Sequence, residues 1–508
     1  MSSILSSIFG SRSKHLPPGP PGLPVVGNLK DIPSTEQWKY FHEQSQKYNC
    51  DINTYRVLNK TIIVLNSREA IEALFEKEVE HYSDKPGRKM ANISDLIMTL
   101  PFMNTGDIFS NARKQFHLGI GPSAVHQYDR DYEASSLQFV QALAKDLQCK
   151  NLDTTIDDSL GHVFLKVSTG YHGEQTETIL QQMNKLAHFA ADVLGDKYQI
   201  FDIIPFLSWA PTWLPGIGQK IKYGEQWKKQ LHETAQTTVN IMQQSKEQGR
   251  MSVMSHVYSA EDKDDRSSMI AVTMNAGGML ATESATLTFL LAMARFPEIQ
   301  KRAQAEVDAV CGDRLPTMAD RPNLPFVDAV LCEVLRWVSI APVTAAVARE
   351  VNADDHYKSY LIPKGATIMA NNWAISRDAA MFPEPEIFRP ERWLDDVGKA
   401  LRTDGSLLHP MKFAFGFGQR TCPGRYLADA LLFSHYCHIL KVFDVALPPV
   451  AENAKIAADE KMKVKSNGAA CRVEEVYVTL APRSEAASAL IDQKADAPNG
   501  KANGTASH

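Results

Sequence analysis

The sequence predicts a mainly α-helical fold with a small β portion. Segments in which apolar residues recur at helical spacing dominate the middle of the chain, whereas stretches that alternate like strands are few and short. The composition, with 44% hydrophobic and 22% charged residues, is that of an ordinary globular protein and excludes a disordered or collagen-like chain. At 508 residues the length alone favours about three domains, although single folds of this size exist.

Charge and cysteine content exclude further classes of protein. The formal net charge of −5 provides no global basic field, so a nucleic-acid partner is not expected. The seven cysteines are odd in number and no two form a C-x-x-C pair, which argues against a disulfide framework and against a tetrahedral zinc site.

The first residues carry weak signals. In residues 1–15 serines interrupt the apolar positions and Arg12 and Lys14 follow, whereas a bilayer span needs about twenty apolar residues. This segment is therefore a weak or truncated anchor, or a frayed terminus. Residues 16–28 are rich in proline, which is typical of a stiff, extended leader, although a plain linker or a proline-rich ligand for another domain has the same composition.

The following segments predict a hairpin, two helices and a proline-rich region. Residues 55–65 alternate like a hairpin with Asn59-Lys60 at its turn, and residues 69–75 and 134–146 have helical spacing. Residues 203–218 contain three prolines, two tryptophans and little charge, so they cannot form one helix. They are either a lipophilic loop that lines a substrate entrance or contacts a membrane, or a connector packed into the core.

Residues 267–294 predict a long central helix. Serines can cap its start, and Pro297 prevents its continuation. The segment is apolar all round, which indicates a buried helix, and its polar residues argue against a membrane span. Beyond it, the pattern predicts two further helices, at residues 297–310 and 323–337, and paired strands within residues 357–372. A late strand is predicted at residues 473–480 and a disordered tail at residues 484–508.

Residues 413–424 carry the chemistry. They read FAFGFGQRTCPG and precede a helical pattern over 425–440, so Cys422 lies on a constrained loop ahead of a helix. The positive end of a helix stabilises a thiolate, and glycines let the backbone approach a flat ligand closely. Phe415 can shield the sulfur, and Arg420 can neutralise an acidic group of the ligand. A lone buried cysteine is usually a small hydrophobe, but this context is far more specific.

The loop resembles the haem-binding loop of the cytochrome P-450 family. Phe415, Gly418, Arg420, Cys422 and Gly424 match the pattern F-x-x-G-x-R-x-C-x-G. The resemblance implies the family's fold, in which haem b lies between the central helix and the cysteine loop and the cysteine thiolate is the axial ligand of the iron. It also implies one domain over residues 16–482, followed by a disordered tail over 483–508.

Three further positions agree with the family in order and spacing. Glu333 and Arg336 form E-x-x-R on a predicted helix, and Arg392 lies in R-P-E-R-W. In the family these positions form a buried ion-pair network behind the haem, whereas an isolated pair three residues apart on a helix contributes only a few tenths of a kcal/mol. The whole pattern is most similar to fungal members of secondary metabolism.

The central helix departs from the family pattern. Leu280 and Ala281 stand where the family carries an acid and a threonine. Thr282 and Glu283 are the neighbouring candidates for distal catalytic residues, but one residue on a helix is about 100° of rotation.

The residues that contact the haem propionates depart as well. Phe109 stands where the family has tryptophan, and Ala346-Val347 stands where it has Pro-His. Arg113 and Arg420 are the residues that the resemblance still assigns to the propionates.

The resemblance implies a monooxygenase acting on a lipophilic small molecule, such as a fungal terpenoid. Electrons would come from a separate NADPH–cytochrome P-450 reductase, for which Lys412 and Arg425 are candidate docking residues. The expected location is the cytoplasmic face of the endoplasmic reticulum, with peripheral membrane contact, or the soluble cytoplasm. Without the acid and threonine, a haem-thiolate isomerase or dehydratase is the alternative, and a haem protein without turnover is a third hypothesis.

Overall fold

The computed structural model describes residues 16–173, 175–195, 197–250, 252–257, 266–343, 348–448, 464–466, 470–474 and 476–493. The α-helices of these residues are α1 Gln37–Lys47, α2 Arg68–Ile71, α3 Lys89–Ile93, α4 Asp107–Ile120, α5 Asp129–Ala144, α6 Leu152–Thr169, α7 Thr176–Leu194, α8 Gln199–Ile203, α9 Ile217–Glu247, α10 Val253–Val257, α11 Arg266–Arg295, α12 Pro297–Cys311, α13 Pro325–Trp337, α14 Asn372–Ser376, α15 Arg425–Val442 and α16 Glu485–Ile491. The strands are β1 Ile52–Val57, β2 Lys60–Leu65, β3 Arg349–Glu350, β4 Asp355–Tyr357, β5 Tyr360–Ile362, β6 Thr367–Ala370, β7 Phe443–Ala446, β8 Val464–Ser466, β9 Cys471–Val473 and β10 Thr479–Pro482. The prediction of a mainly α-helical fold with a small β portion is confirmed.

The central helix α11 is the structural axis of the molecule. It packs against α6, α7, α9 and α15, and Leu287, Phe289 and Leu290 are fully buried along it. The ring of Phe289 stacks on that of Tyr436 from α15 with centroids 3.8 Å apart. The predicted long helix over 267–294 is therefore confirmed, and its apolar surface is explained by neighbours on several sides.

The strands form small sheets at the periphery of the helices. The largest has the order β1-β2-β6-β3, in which β2 and β6 run parallel and the other neighbours antiparallel. Val57 pairs with Lys60, so the hairpin turn consists of Leu58 and Asn59, one residue earlier than predicted. Ile63 and Leu65 of β2 join the main core, and Val64 on the opposite face is buried in a second cluster, so both faces of this strand are covered.

The C-terminal region differs from its predictions in two ways. Residues 473–480 were expected to form one strand, but β9 ends at Val473 and pairs with β8, whereas β10 begins at Thr479 and pairs with β7. Residues 483–508 were expected to be disordered, yet α16 packs on α15 through Leu490 and Ile491. Ala487, Leu490 and Ile491 form a short apolar stripe at helical spacing. The polar composition of the whole tail led to the prediction of disorder. Residues 494–508, like 1–15, lie outside the described part of the chain.

One cluster of buried side chains joins elements from both ends of the described chain. It extends from Ile52 of β1 to Ile491 of α16 and includes the central helix. Such continuity is typical of a single core rather than of several domains.

The proline-rich segment after α7 leaves its large aromatic side chains exposed. After α8 ends at Ile203, a 3₁₀ turn covers Pro205–Trp209 without a buried residue. The side chains of Phe206, Trp209 and Trp213 are 65%, 82% and 78% exposed. Leu207 and Ala210 of the same segment pack against a core cluster, so the segment combines exposed aromatic side chains with contacts to the core.

Candidate active site

The loop before α15 closes on itself around Cys422. The Cys422 N–H donates a hydrogen bond of 2.7 Å to the Phe415 carbonyl. Gly416 and Gly418 adopt left-handed φ angles of 79° and 56°. A Cβ atom at Gly418 would lie 2.2 Å from the Phe75 carbonyl oxygen, so only glycine fits between the loop and the segment that follows α2. Backbone packing thus explains two of the loop glycines.

The environment of the Cys422 sulfur is suited to a metal-bound thiolate. Burial raises the pKa of the Cys422 thiol, whereas the Gly424 N–H and the guanidinium groups of Arg113 and Arg425 lower it. The Cys422 side chain retains accessible surface. The sulfur is therefore open to a ligand. A bound cation would complete the stabilisation that the neighbours begin.

Two predicted arginines converge beside this loop. Arg113 of α4 donates to the Thr421 carbonyl at 2.5 Å. Arg420 donates to the carbonyls of Ser83 and Met103 at 2.7 and 2.6 Å. Its guanidinium also lies 4.0 Å from the ring centroid of Phe109, the residue at the expected tryptophan position.

Arg349 and Lys85 extend this group of cations, and neither was predicted from the sequence. Arg349 is 3% exposed and its Nε and Nη1 atoms have no hydrogen-bond partner. Burial lowers the pKa of Arg349 well below its usual range, and the nearby charges of Arg420 and Arg113 act in the same direction. Burial also lowers the pKa of Lys85, and among the nearby charges that of Arg349 contributes most.

Such a cluster of buried cations fits a doubly anionic ligand. Buried charges are normally paired, and Asp84 is the carboxylate that acts on Arg420 among the described neighbours. Two propionate groups would supply the missing negative charge and accept from the orphaned Arg349 donors. The residues present therefore fit haem, because Arg113 and Arg349 donate to the Thr421 and Phe417 carbonyls of the same loop that carries the thiol. An arginine directly after residues 341–348, which are apolar except for Thr344, was the available sequence signal for Arg349.

A cavity lies along one face of the central helix. It contains about 610 Å³ of unfilled space, including its opening, and the central helix contributes Gly277, Leu280 and Ala281 to its wall. The other described lining residues come mainly from α7 and from the segment after α3, and none of the described lining residues is charged. Gly278 faces away from the cavity, because a Cβ atom there would lie 2.9 Å from the Phe164 ring of α6.

The structure places Thr282 and Glu283 away from this cavity. The Thr282 hydroxyl donates to the Gly278 carbonyl at 2.8 Å, one turn earlier in its own helix. Glu283 accepts a hydrogen bond of 2.7 Å from Arg472 of β9. Neither side chain is among the lining residues, so the helical rotation separates both candidates from the cavity surface.

The three remaining predicted residues form one buried ion-pair network. Arg336 donates to both Glu333 oxygens at 2.8 and 2.7 Å, and both side chains are fully buried. Arg392 donates to Glu333 at 3.2 Å. The indole N–H of Trp393 adds a bond of 2.9 Å to the same carboxylate, a partner that the sequence analysis missed. The network binds α13 to the segment before the cysteine loop.

Comparison with known proteins assigns the family. The family model for cytochrome P-450 matches residues 17–469. The chain is a cytochrome P-450.

Relatives and a solved structure agree with this assignment. Cytochrome P-450 monooxygenase 208 of Postia placenta is 33% identical, over 94% of this chain and 92% of the relative. Cytochrome P-450 monooxygenase COX2 of Coprinopsis cinerea is 31% identical, over 96% of this chain and 93% of the relative. A zebrafish cytochrome P-450 structure with abiraterone has a TM-score of 0.67 at 19% identity, covering 88% of this chain and all of that one. The fold is therefore that of the family.

Membership establishes the class of enzyme and its cofactor. This cytochrome P-450 is a monooxygenase, an oxidoreductase with fungal relatives, and its cofactor is haem with an axial cysteine thiolate. It requires a redox partner and a small-molecule substrate.

The two basic residues considered for partner docking lie at the two ends of the cysteine loop. Lys412 is exposed on the 3₁₀ turn that opens the cysteine loop. Arg425 is half-buried, and its guanidinium lies 4.7 Å from the ring centroid of Tyr426. The Ala346-Val347 pair, expected at the Pro-His position, lies outside the described residues.

Proposed function

We propose that this cytochrome P-450 oxidises a neutral, lipophilic small molecule, such as a fungal terpenoid of secondary metabolism. The observation that carries the proposal is the cavity beside Leu280 and Ala281, whose described lining is apolar apart from Thr99 and Thr273 and contains no charged residue. Apolar pockets with few polar groups select ligands by shape and apolar area. A charged substrate would lose its hydration there without gaining a described counter-charge.

In this proposal Cys422 is the axial ligand of the iron. Gly424, Arg113 and Arg425 act on the sulfur and favour its thiolate form. When bound, the haem supplies the oxygen chemistry, and the protein supplies binding and orientation.

Four basic side chains would hold the propionates. Arg349 contributes the two buried N–H donors that lack hydrogen-bond partners. The charges of Arg420 and Arg113 lower the pKa of Arg349, and the charge of Arg349 lowers that of Lys85, so the four groups lie close together. This set replaces the tryptophan and histidine that the family usually employs. Phe109 then has a different role, because it packs under the Arg420 guanidinium.

Proton delivery on the distal side would not rely on a side chain of the family's acid–threonine pair. Leu280 and Ala281 line the cavity but can neither donate nor accept a proton, and the Thr282 hydroxyl donates to the Gly278 carbonyl. A general acid or base must lie within about 2.6–3.2 Å of the reacting group or one water away. A substrate hydroxyl or a chain of water molecules would therefore perform this function.

The proposed electron donor is a separate NADPH–cytochrome P-450 reductase. Lys412 and Arg425, near the cysteine loop, are the proposed contact residues. Basic residues on this surface would attract an acidic partner and accelerate association.

The proposed location is the cytoplasmic face of the endoplasmic reticulum, with the exposed aromatic residues Phe206, Trp209 and Trp213 contacting the membrane. Tryptophan side chains are favourable at the boundary between lipid headgroups and acyl chains. Within the described residues, Val272–Arg295 is a helical stretch long and apolar enough to cross a bilayer, but 76% of its apolar window is buried inside the protein.

A second function is favoured by the same departure in the central helix. A haem-thiolate isomerase or dehydratase does not activate oxygen. It would therefore not need an acid and a threonine at the positions where Leu280 and Ala281 line the cavity. The two functions differ in their need for reductant.

Purified enzyme should be incubated with a terpenoid extract of the source organism, with and without reductase and NADPH. The proposal predicts a product that gains one oxygen atom and forms only with both additions. A product that forms without reductant would favour the isomerase or dehydratase. An oxygenated product from a carboxylate-bearing substrate alone would contradict the proposed neutral substrate.

A further inference from the structure

The residue that precedes strand β9 forms part of the cavity wall. Ala470 immediately precedes the strand, lines the cavity and packs against Leu280 of the central helix and Ala187 and Ala191 of α7. Because all four side chains are buried, the position of β9 determines the width of the cavity at this point.

Hydrogen bonds attach β9 to two other segments. The Ser284 hydroxyl of the central helix donates to the Cys471 carbonyl at 2.6 Å, and the Cys471 N–H donates to the Ile340 carbonyl at 2.6 Å. The next residue, Arg472, makes the charged contacts. Its Nη1 donates to Glu283 at 2.7 Å, and its Nη2 donates to Asp153 of α6 at 2.8 Å.

The two carboxylates that accept from Arg472 differ in their exposure to solvent. The Glu283 side chain is 4% exposed, whereas that of Asp153 is 59% exposed. Burial raises the pKa of Glu283 to about 7; the nearby Asp157 and Asp153 also raise it, and Arg472 lowers it. Arg472 therefore offsets part of the cost of a charged Glu283 inside the protein. The exposed half of the bridge contributes much less.

We propose that Arg472 is a positioning residue that sets the cavity wall at Ala470 and thereby selects how the substrate is oriented. The inference rests on the proposed function, because it assigns a specificity role within the same cavity. Arg472, Glu283 and Asp153 are not among the lining residues, so the effect is transmitted through the backbone of β9. A hydrophobic pocket changes its preference by about 10–200-fold for one methylene group, so a small displacement of Ala470 is measurable.

Two iron-coordinating probes test this role in the haem-loaded enzyme. Imidazole is a small ligand with little surface to contact the cavity wall, whereas the twelve-carbon chain of 1-dodecylimidazole would need to enter the cavity lined by Leu280 and Ala470. Spectral titration gives the dissociation constant of each probe. Because both probes coordinate the iron, a change at the haem affects both constants, whereas a displaced cavity wall changes their ratio. Arg472→Gln should change this ratio by about fivefold or more, with imidazole affinity altered by less than about twofold.

Matched variants separate positioning from general damage. Ala470→Val, which narrows the wall directly, should move the ratio. Arg472→Lys should restore part of it, since lysine keeps the charge but cannot hold both carboxylates in the same geometry. Asp153→Asn, which removes only the exposed contact, should change it less than Glu283→Gln does.

An unchanged ratio in Arg472→Gln, with Ala470→Val active as a control, would overturn the proposal. Should Arg472→Gln fail to load haem, Glu283→Gln decides in its place, and an unchanged ratio there is equally fatal. These results are distinct from failure of the proposed function, in which the wild-type enzyme would bind both probes but oxidise no neutral lipophilic compound.

Discussion

The two sides of the haem site differ in how strictly the chain follows its family. On the cysteine side, the loop around Cys422 and the network around Glu333 match the family pattern in sequence and form the expected contacts. On the cavity side, Leu280 and Ala281 replace an acid and a threonine and lie at the cavity wall. The cysteine loop and the Glu333 network thus keep the family pattern, whereas the propionate contact at Phe109 and the side facing the substrate both depart from it.

The largest expected effect is at the cysteine itself. Cys422→Ser should abolish the red-shifted Soret band of the reduced, carbon-monoxide-bound enzyme, because the thiolate that donates electron density to the iron is lost. The buried Cys311 provides a matched control, and Cys311→Ser should keep the band. A band that survives in Cys422→Ser would assign the ligand elsewhere.

Breaking the Glu333 network should have the next largest effect. Glu333→Ala leaves Arg336 as an uncompensated buried charge, which costs roughly 3–5 kcal/mol of unfolding free energy. Adding Arg392→Ala should cost less than the sum of the single losses, since both contact one carboxylate. Urea denaturation of the four proteins gives the coupling, and strictly additive losses would contradict the observed contacts.

Arg349 should show opposite effects on haem and on the apoprotein. Arg349→Met removes a charge-assisted contact to a propionate, which should weaken haem retention by about tenfold to a hundredfold. It also removes a buried cation without a described carboxylate partner, so the apoprotein should become more stable. Haem transfer to apomyoglobin measures the first and thermal melting of the apoprotein the second. An arginine with a purely structural role would instead lower apoprotein stability.

Glu283 should produce a smaller, pH-dependent effect. Its pKa in the folded protein is raised to about 7, above that of an unfolded chain, so protonation favours the fold. Its stabilising contribution is complete in acid and is lost as the pH rises from the ordinary glutamate range to about 7. Glu283→Gln should abolish the part of the decline in unfolding free energy that comes from this group. The neighbouring charges of Asp153, Asp157 and Arg472 are still present in the variant. Parallel curves of urea midpoint against pH for the two proteins would contradict the raised pKa.

The same contrast explains what could be predicted from the sequence. Cys422 and its loop were predictable because a backbone turn and a metal ligand impose local requirements, such as the glycine at 418 beside the Phe75 carbonyl. The central helix was predictable because its apolar run is bounded by Pro297. Both are properties of short, continuous segments.

Contacts between distant segments could not be predicted in this way. Arg349 and Lys85 meet only after β3 approaches the segment before α3, and an isolated basic residue is otherwise expected to be solvated. The contact between Arg472 and Glu283 likewise joins residues far apart in the chain. It gives Glu283 a partner outside the cavity, which the sequence analysis did not anticipate.

The most direct test of the contrast between the two sides is the amount of product formed per NADPH consumed. Thr282→Val should leave this coupling unchanged, because the hydroxyl donates to the Gly278 carbonyl and lies outside the cavity lining. Leu280→Asp combined with Ala281→Thr should raise coupling for substrate analogues that lack a hydroxyl, since the helix would then supply its own proton-transfer groups. A collapse of coupling in Thr282→Val, with no gain in the double variant, would show that Thr282 takes part in oxygen activation and would contradict the account.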